Sequence, residues 1–157
     1  MSAATPALRV LEQAGIPHTV HPYEHDAAAP SYGLEAAAAL GLAPEEVFKT
    51  LLAQADDRLV VGIVPVTGQL DLKALAAAVH ARRARMADPA VAERATGYVV
   101  GGISPLGQRK RLPTVLDESA FDHAVVYVSG GRRGLDIGLA PDDLARVLEA
   151  TRARIAR

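Results

Sequence analysis

Two apolar segments separated by a short polar turn lie near the middle of the chain and restrict its fold most strongly. Residues 48–55 and 59–66 flank Asp56 and Asp57, which is the pattern of a β-hairpin. Residues 60–64 read Val-Val-Gly-Ile-Val, with no polar side chain. A strand of this composition is covered on both faces, so we expect the second strand of the hairpin to be central in its sheet.

Helices are predicted on both sides of this hairpin from caps and apolar spacing. The first spans about residues 6–14, with Thr5 as its N-cap and Gly15 as its end. Further helices are expected at about residues 34–40, 70–80 and 89–95, with one short helical turn at 43–47. A terminal helix is predicted to begin at Pro141 and to carry Arg152, Arg154 and Arg157 toward its end, where they would complement the helix dipole.

The other strands are expected to be short. The pattern predicts extended chain at residues 18–21 and strands at 98–100, 114–116, 124–128 and 135–139. Helices and strands that mix without strict βαβ alternation indicate the α+β class. A chain of 157 residues fits one domain, which we expect to span residues 1–157.

The composition excludes several kinds of chemistry. The chain has no cysteine, so it has no disulfide, no Cys-ligated zinc, no iron–sulfur cluster and no thiolate nucleophile. His21 and His25 lack both the zincin spacing and a third ligand, so we expect no metal and no cofactor. No signal peptide and no apolar stretch of membrane-spanning length is found, which predicts a cytoplasmic protein with no membrane association.

Basic residues are clustered although the net charge is only −1. Residues 82–85 contain three arginines, residues 109–111 are Arg-Lys-Arg, and Arg132 and Arg133 lie among glycines. One basic face would suffice to bind a polyanion. Ordinary solvated faces explain the same pattern, and charge alone favours that simpler interpretation.

Glycine-rich turns follow three of the predicted strands, at residues 67–69, 101–107 and 129–134. Glycine allows close backbone approach to a ligand and exposes N–H groups to an anion or a carbonyl. None of the three has the P-loop or Rossmann pattern. Tight turns and a ligand site are both compatible with these segments.

Two charged residues lie in otherwise apolar strands. Lys49 begins the first hairpin strand, where alternation places it on the face of Leu51 and opposite Thr50. A strand-edge lysine often prevents aggregation, but it can also point a cation into a pocket. Asp136 poses the same question with the opposite charge. The residues themselves thus predict a polar pocket without a covalent nucleophile and do not identify a reaction.

A series of motifs resembles the YbaK-type Cys-tRNA(Pro)/Cys-tRNA(Cys) deacylase family, which is related to the editing domain of bacterial prolyl-tRNA synthetases. The motifs run in order over nearly the whole chain. They are Tyr-Glu-His-Asp at 23–26, Phe-Lys-Thr-Leu-Leu at 48–52, Pro-Val-Thr-Gly-Gln-Leu-Asp-Leu-Lys at 65–73, Met-Ala-Asp-Pro at 86–89, Thr-Gly-Tyr at 96–98, Gly-Gly-Ile-Ser-Pro-Leu-Gly at 101–107, Lys-Arg-Leu-Pro-Thr at 110–114, Val-Ser-Gly-Gly at 128–131 and Arg-Gly-Leu-Asp-Ile at 133–137.

The resemblance implies a single domain with a curved, mixed sheet flanked by helices. It also implies removal of a misattached amino acid from the tRNA 3′ end. By their positions in the motifs, the catalytic candidates are Lys49, Gly101 and Asp136, and the substrate-binding candidates are Tyr23, Tyr32, Thr50 and Ser129. Tyr32 stands where the family usually has Phe, which keeps the ring but adds a hydroxyl to the pocket.

The family mechanism implied by the resemblance needs no enzyme nucleophile, because the substrate's own thiol attacks its ester carbonyl. Gly101 would then stabilise the oxyanion, Asp136 would bind the substrate ammonium, and Lys49 would hold the carbonyl or the terminal nucleotide. Ser129 and Thr50 would hydrogen-bond the aminoacyl or ribose portion.

The expected partners are aminoacyl-tRNA(Pro), with tRNA(Cys) as a further candidate, and prolyl-tRNA synthetase. Three alternatives stay open from the sequence. They are a related hydrolase of Ala-tRNA(Pro) or another misacylated tRNA, a non-catalytic tRNA- or nucleotide-binding module, and a ligand-binding domain with no tRNA role.

Overall fold

The computed structural model describes residues 4–26 and 31–157. Within these ranges the chain forms five α-helices and eight strands. The helices are α1 (Pro6–Ala14), α2 (Tyr32–Leu40), α3 (Leu72–Ala78), α4 (Pro89–Thr96) and α5 (Pro141–Leu148). The strands are β1 (Thr19–Pro22), β2 (Phe48–Ala55), β3 (Arg58–Pro65), β4 (Ala84–Met86), β5 (Thr114–Asp117), β6 (Val126–Arg132), β7 (Leu135–Leu139) and β8 (Thr151–Ala153). Short 3-10 helices lie at Pro44–Glu46 and Glu118–Asp122.

The strands form two sheets. The larger has the order β4-β2-β3-β5-β8, and the smaller has the order β1-β7-β6. β2 and β3 are the predicted antiparallel hairpin, whereas β5 pairs with both β3 and β8 in parallel. A parallel bridge between Val47 and Tyr127 connects the two sheets. The α+β class is therefore confirmed. The strands form two sheets, and the larger of them is mixed, with both parallel and antiparallel pairs.

β3 is central and buried on both faces, as predicted. Val61 and Ile63 pack in the larger core cluster, whereas Val60 and Val64 belong to a second cluster on the opposite face of the strand. All four side chains are fully buried. Burial of each such side chain contributes roughly 1.5–3 kcal/mol, so this strand holds the layers of the domain together.

Helix α1 connects the N-terminal part of the chain to the glycine-rich turn after β6. The Thr5 hydroxyl caps the helix by accepting a hydrogen bond from the Leu8 N–H at 3.2 Å. It also donates to the Gly130 carbonyl at 2.5 Å. A residue that was predicted only as a cap therefore also positions one of the glycine loops.

The predicted terminal helix is wrong beyond residue 148. Helix α5 ends at Leu148, Glu149 adopts a left-handed φ of 52°, and Arg152 then lies in β8. The buried Asp117 carboxylate accepts hydrogen bonds from the N–H groups of Ile155 and Ala156, both at 2.8 Å. This anchor and the burial of Ile155 hold the C-terminal segment as extended chain, so its arginines do not interact with a helix dipole.

Smaller differences follow from tertiary contacts. Residues 98–100 form a turn and not a strand, because the buried Tyr98 donates its hydroxyl to the Leu106 carbonyl at 2.7 Å. Strand β4 was not predicted, and β6 starts and ends later than the predicted 124–128. Helix α2 begins two residues earlier than predicted, at the Ser31 cap, and α3 is shorter than predicted. In the described ranges, no helix combines the length and the apolar character needed to cross a membrane.

Candidate active site

A cavity of about 400 Å³ is lined by residues of α2, of α4 and of both sheets. All seven site residues expected from the sequence line it, so residues 113 positions apart in the chain meet in one place. They are Tyr23, Tyr32, Lys49, Thr50, Gly101, Ser129 and Asp136. Much of the remaining wall is apolar and is formed by Phe48, Leu51, Leu52, Met86, Ala87, Pro89, Ala92 and Ile103.

The β2 wall of the cavity combines a cation with an unpaired hydroxyl. Residues 48–52 all line the cavity, because β4 pairs with β2 only from Ala53 onward. Partial burial lowers the pKa of the Lys49 ammonium. The Thr50 hydroxyl oxygen is buried and has no hydrogen-bond partner among the described residues. Since buried hydroxyl groups are normally hydrogen-bonded, this atom is available to a ligand.

The opposite wall carries a buried carboxyl group. Asp136 is 5% exposed and pairs in register with Ser129 on β6 and His21 on β1. Burial raises the pKa of Asp136 to about 7. Burial and the Asp136 charge also raise the pKa of the neighbouring Tyr23. Within the described lining, Asp136 is the only acidic group, and it makes no ion pair with Lys49.

Two of the three glycine-rich turns meet at this cavity. A Cβ atom on Gly102 would lie 2.7 Å from the Cα atom of Arg132, so the two turns are in backbone contact. Gly101 has φ of 93°, and a Cβ atom there would lie 2.5 Å from Nε of Arg133. Both the conformation and the space therefore require glycine at position 101. The third turn lies elsewhere, with Gly68 next to the carbonyl of Arg157.

Gly101 also offers a hydrogen-bond donor. The Gly102 N–H donates to the Val99 carbonyl at 2.9 Å, and the Val100 N–H donates to Glu93 at 2.8 Å. The intervening Gly101 N–H has no acceptor within the described part of the chain. A free backbone N–H on a cavity-lining glycine can stabilise negative charge on a carbonyl oxygen.

Arg133 is a site residue that the sequence did not single out. Its guanidinium carbon lies 4.8 Å from the centroid of the Tyr32 ring. Its Nε and Nη2 atoms donate to the Val100 carbonyl at 3.1 and 2.7 Å. The sequence signals were its place in a glycine-rich turn, in a basic cluster and at the start of the motif at 133–137, and none of these specifies a partner.

His25 also contacts the Tyr32 ring and does not form a metal site with His21. The ring centroids of His25 and Tyr32 are 5.9 Å apart, and His25 Nδ1 lies 2.9 Å from Glu35 Oε1. The hydrogen bond from His25, with a further one from the Asp26 N–H, lowers the pKa of Glu35. His21 contacts the Thr19 hydroxyl instead, at 2.6 Å. No group of three potential metal ligands occurs in the residues that the structure describes.

The hydroxyl groups around the cavity are not hydrogen-bonded to a general base among the described residues. No histidine belongs to the described lining, and the Ser129 hydroxyl oxygen accepts a hydrogen bond from the Gly131 N–H at 3.2 Å. A serine nucleophile normally needs a neighbouring base to remove its proton. Asp136 is the cross-strand partner of Ser129, but no hydrogen bond joins its carboxylate to the Ser129 hydroxyl, so the described residues form no Ser–base pair.

Comparison with known proteins identifies the family of the chain. The model of the aminoacyl-tRNA editing domain matches residues 28–147. EbsC of Enterococcus faecalis (strain ATCC 700802 / V583), a proposed Cys-tRNA(Pro)/Cys-tRNA(Cys) deacylase, is 35% identical over 153 residues, which cover 96% of this chain and 92% of EbsC.

Solved structures show the same fold over the whole chain. A proposed trans-editing enzyme for prolyl-tRNA synthetase superimposes with a TM-score of 0.87 at 25% identity, covering 100% of this chain and 99% of the other. The hypothetical protein APE2540 superimposes with a TM-score of 0.86 at 22% identity, covering 98% of this chain and all of the other. The chain belongs to the aminoacyl-tRNA editing domain family.

Proposed function

We propose that the chain is a trans-editing deacylase that removes cysteine from Cys-tRNA(Pro). The observation that carries this proposal is the convergence of Lys49, Asp136, the Gly101 N–H and the unpaired Thr50 hydroxyl in one cavity without a histidine base. Such a cavity can orient an aminoacyl ester but supplies no nucleophile. The 35% identity to EbsC, named for the same ester, supports cysteine as the amino acid.

The reaction begins with the substrate's own thiol. The thiol loses its proton to water, and the resulting thiolate attacks the ester carbonyl carbon of the same cysteine. A carbon–sulfur bond forms, the carbon–oxygen bond to the ribose breaks, and the departing ribose oxygen takes a proton from water. Water then opens the resulting four-membered thiolactone to free cysteine. Correct orientation of two reacting groups is worth up to about 7–11 kcal/mol, so positioning alone can account for much of the acceleration.

Each polar group of the cavity has a place in this scheme. The Asp136 carboxylate binds the substrate α-ammonium, which favours the ionised form of a carboxyl group whose burial otherwise raises its pKa to about 7. Lys49 and the Gly101 N–H stabilise the negative charge that develops on the carbonyl oxygen. Thr50 and Ser129 hydrogen-bond the aminoacyl and ribose portions, and Tyr23 and Tyr32 pack against them.

Substrate-assisted attack also provides selectivity that pocket shape alone cannot. One methylene group or one hydroxyl contributes only about 1–3 kcal/mol of discrimination in an apolar pocket. Alanine and proline esters have no thiol and are therefore excluded by chemistry. Discrimination among tRNAs is assigned to prolyl-tRNA synthetase, which would present the mischarged tRNA to this enzyme.

The test is release of labelled cysteine from Cys-tRNA(Pro) by the purified protein, with labelled Ala-tRNA(Pro) in parallel. We expect rapid loss of cysteine and survival of the alanine ester. Loss of alanine instead would replace the proposal with the related Ala-tRNA(Pro) specificity. Retention of both esters, with tRNA bound, would indicate a binding module.

Replacement of Lys49 by Met tests the catalytic assignment, because methionine keeps an unbranched side chain without the charge. We expect kcat to fall about 10²–10³-fold, with a smaller change in KM, as for loss of an oxyanion-stabilising group. An unchanged kcat would remove Lys49 from the mechanism. Lys73 is exposed on α3 and is absent from the cavity lining, so Lys73→Met is the matched control.

A further inference from the structure

Three exposed arginines lie immediately before Met86, a residue of the cavity wall. We call Arg82, Arg83 and Arg85 the arginine segment. The Asp56 carboxylate accepts hydrogen bonds from the N–H groups of Arg82 and Arg83, at 3.0 and 3.1 Å. β4 then pairs with β2 through Gln54 and Arg85. The backbone of the segment is therefore fixed in position by the edge of the larger sheet.

The strand register places the arginine segment at the edge of the larger sheet, directly beside the cavity residue Met86. Gln54 shares a face of β2 with Leu52 and Thr50, because alternate residues of a strand point to the same side. Arg85 is the cross-strand partner of Gln54, so it lies on that face as well. Arg83 precedes it by two residues, about 7 Å farther along an extended chain. Met86, which pairs with Ala53, lines the cavity, so a linear ligand that leaves the cavity past this edge of the sheet would meet Arg85 first and Arg83 next.

The side chains of the arginine segment are available to an anion. In the described part of the chain, the ion pairs within 4.0 Å are formed by His25, Arg111, Arg146 and Arg152, and by none of the three arginines. The neighbouring acids are Asp56 and Asp57 in the hairpin turn and Asp88 at the start of α4. The Asp56 carboxylate already accepts two backbone N–H groups, and Asp88 caps α4 by accepting from Ala90. The Asp56 carboxylate interacts with the charges of both Arg82 and Arg58, whereas Arg83 contributes only its backbone N–H and Arg85 contributes nothing to it.

We propose that the arginine segment binds backbone phosphates at the acceptor end of the tRNA while the esterified 3′ end occupies the cavity. This inference rests on the proposed function, which places the aminoacyl ester at Lys49 and Asp136. Phosphates repeat along a nucleic acid strand, and exposed guanidinium groups in a row complement them. Contacts of this kind carry affinity for any tRNA and no identity readout, which agrees with assigning tRNA selection to the synthetase.

The second basic cluster, residues 109–111, is the matched control. Lys110 and Arg111 border a separate cavity of about 190 Å³ that shares no described lining residue with the larger cavity. Arg111 also has an acidic partner, Glu149, at 2.9 Å. Removing charge there changes the net charge by the same amount without touching the proposed path of the RNA.

The experiment compares the double variants Arg83→Gln/Arg85→Gln and Arg109→Gln/Lys110→Gln with the parent protein. The Kd for unacylated tRNA(Pro) is measured between about 50 and 200 mM KCl, where each phosphate contact contributes roughly 0.7–0.9 to the slope of log Kd against log [KCl]. We expect Arg83→Gln/Arg85→Gln to raise the Kd about tenfold and to reduce that slope by about 1.4–1.8. The control variant keeps both the Kd and the slope. Equal losses in the two variants, or no loss in either, would overturn the proposal.

A second substrate separates this inference from the proposed function. This substrate is cysteine esterified to adenosine alone. It can occupy the cavity, but it has no acceptor stem to reach the arginine segment. We expect the loss in kcat/KM caused by Arg83→Gln/Arg85→Gln to be at least about tenfold smaller on this ester than on Cys-tRNA(Pro). Failure of the parent protein to cleave either ester would contradict the proposed function. If the parent protein cleaves both esters and the arginine variant loses kcat/KM equally on both, only the proposed binding of tRNA phosphates by the arginine segment is contradicted.

Discussion

Arg133 stacks on Tyr32 with its guanidinium carbon 4.8 Å from the ring centroid, and the same guanidinium donates two hydrogen bonds to the Val100 carbonyl. These contacts join three elements, which are α2, the start of the glycine-rich turn at residues 101–107 and the turn between β6 and β7. A Cβ atom on Gly101 would lie 2.5 Å from Arg133 Nε and 3.0 Å from two ring atoms of Tyr32. The free Gly101 N–H is therefore positioned by the two side chains that pack against it.

Gly101→Ala is expected to lower kcat/KM on Cys-tRNA(Pro) by at least about 10²-fold. The methyl group would displace Arg133 and Tyr32, and the N–H proposed for the oxyanion would move with the backbone. The measurement is single-turnover deacylation, with the melting temperature recorded on the same sample.

Gly15→Ala is the control for backbone strain. Gly15 also has a left-handed φ, of 68°, but a Cβ atom there would meet nothing within 4 Å. This variant is expected to lose stability of about 1 kcal/mol and to keep its activity. Equal activity losses in the two variants would show that strain, and not the position of Gly101, is responsible.

Thr50→Val is expected to lower the activity of the enzyme without lowering its stability. The Thr50 hydroxyl has no partner in the described protein, so its replacement by a methyl group of similar size leaves no protein group unpaired. We expect an unchanged or slightly increased free energy of unfolding and a roughly tenfold lower kcat/KM, the value of about one hydrogen bond to substrate. A marked loss of stability in chemical denaturation would show that the hydroxyl serves the fold.

Asp136→Asn is expected to stabilise the protein at alkaline pH. Burial raises the pKa of Asp136 to about 7 from an ordinary value of 3.8, so between these values the native state binds more protons than the unfolded chain. The free energy of unfolding of the parent protein therefore falls as pH rises from about 4 to about 7. Asparagine does not ionise, so the variant gains relative stability over this range, by roughly 2–4 kcal/mol at pH 8. Parallel stability curves for the two proteins would contradict the buried, ionisable carboxyl group.

The same carboxyl group sets a pH dependence of activity. If the ionised Asp136 binds the substrate ammonium, kcat/KM on Cys-tRNA(Pro) rises with pH through the free-enzyme pKa of about 7. The Asp136→Asn variant loses most of its activity and the part of the rise near pH 7, whereas the rise that comes from ionisation of the substrate thiol at higher pH remains. A profile of the parent protein that is flat between pH 6 and pH 8 would exclude Asp136 as the ammonium ligand.

The sequence predicted the parts of the fold that local signals control. The caps Thr5 and Gly15 define α1, and the Asp56–Asp57 turn defines the hairpin. Extended chain near the C-terminus was missed, because it depends on hydrogen bonds from Ile155 and Ala156 to Asp117, nearly 40 residues away. Helix propensity is a local property of the sequence, so it cannot predict hydrogen bonds between residues this far apart.

The candidate site was predictable in its membership but not in its geometry. The resemblance named seven residues, six of them within the motifs, and the structure places all seven at one cavity. The motifs did not indicate that Arg133 contacts Tyr32 or that the Gly101 N–H lacks an acceptor, because both depend on the approach of two glycine turns that are distant in sequence. The edge position of β4, which places Arg85 beside the cavity face, likewise follows from strand register and not from local composition.

The central claim is that the substrate's sulfur is the nucleophile, and a comparison of Cys-tRNA(Pro) with Ser-tRNA(Pro) tests it most directly. The two esters differ by one atom and fit the same cavity, so binding alone cannot separate them strongly. The single-turnover rate constant for amino acid release is measured for both at saturating enzyme. The account predicts rapid release of cysteine and a serine rate close to spontaneous hydrolysis. Comparable rates for the two esters would show that water or an enzyme group attacks the carbonyl and would contradict the mechanism.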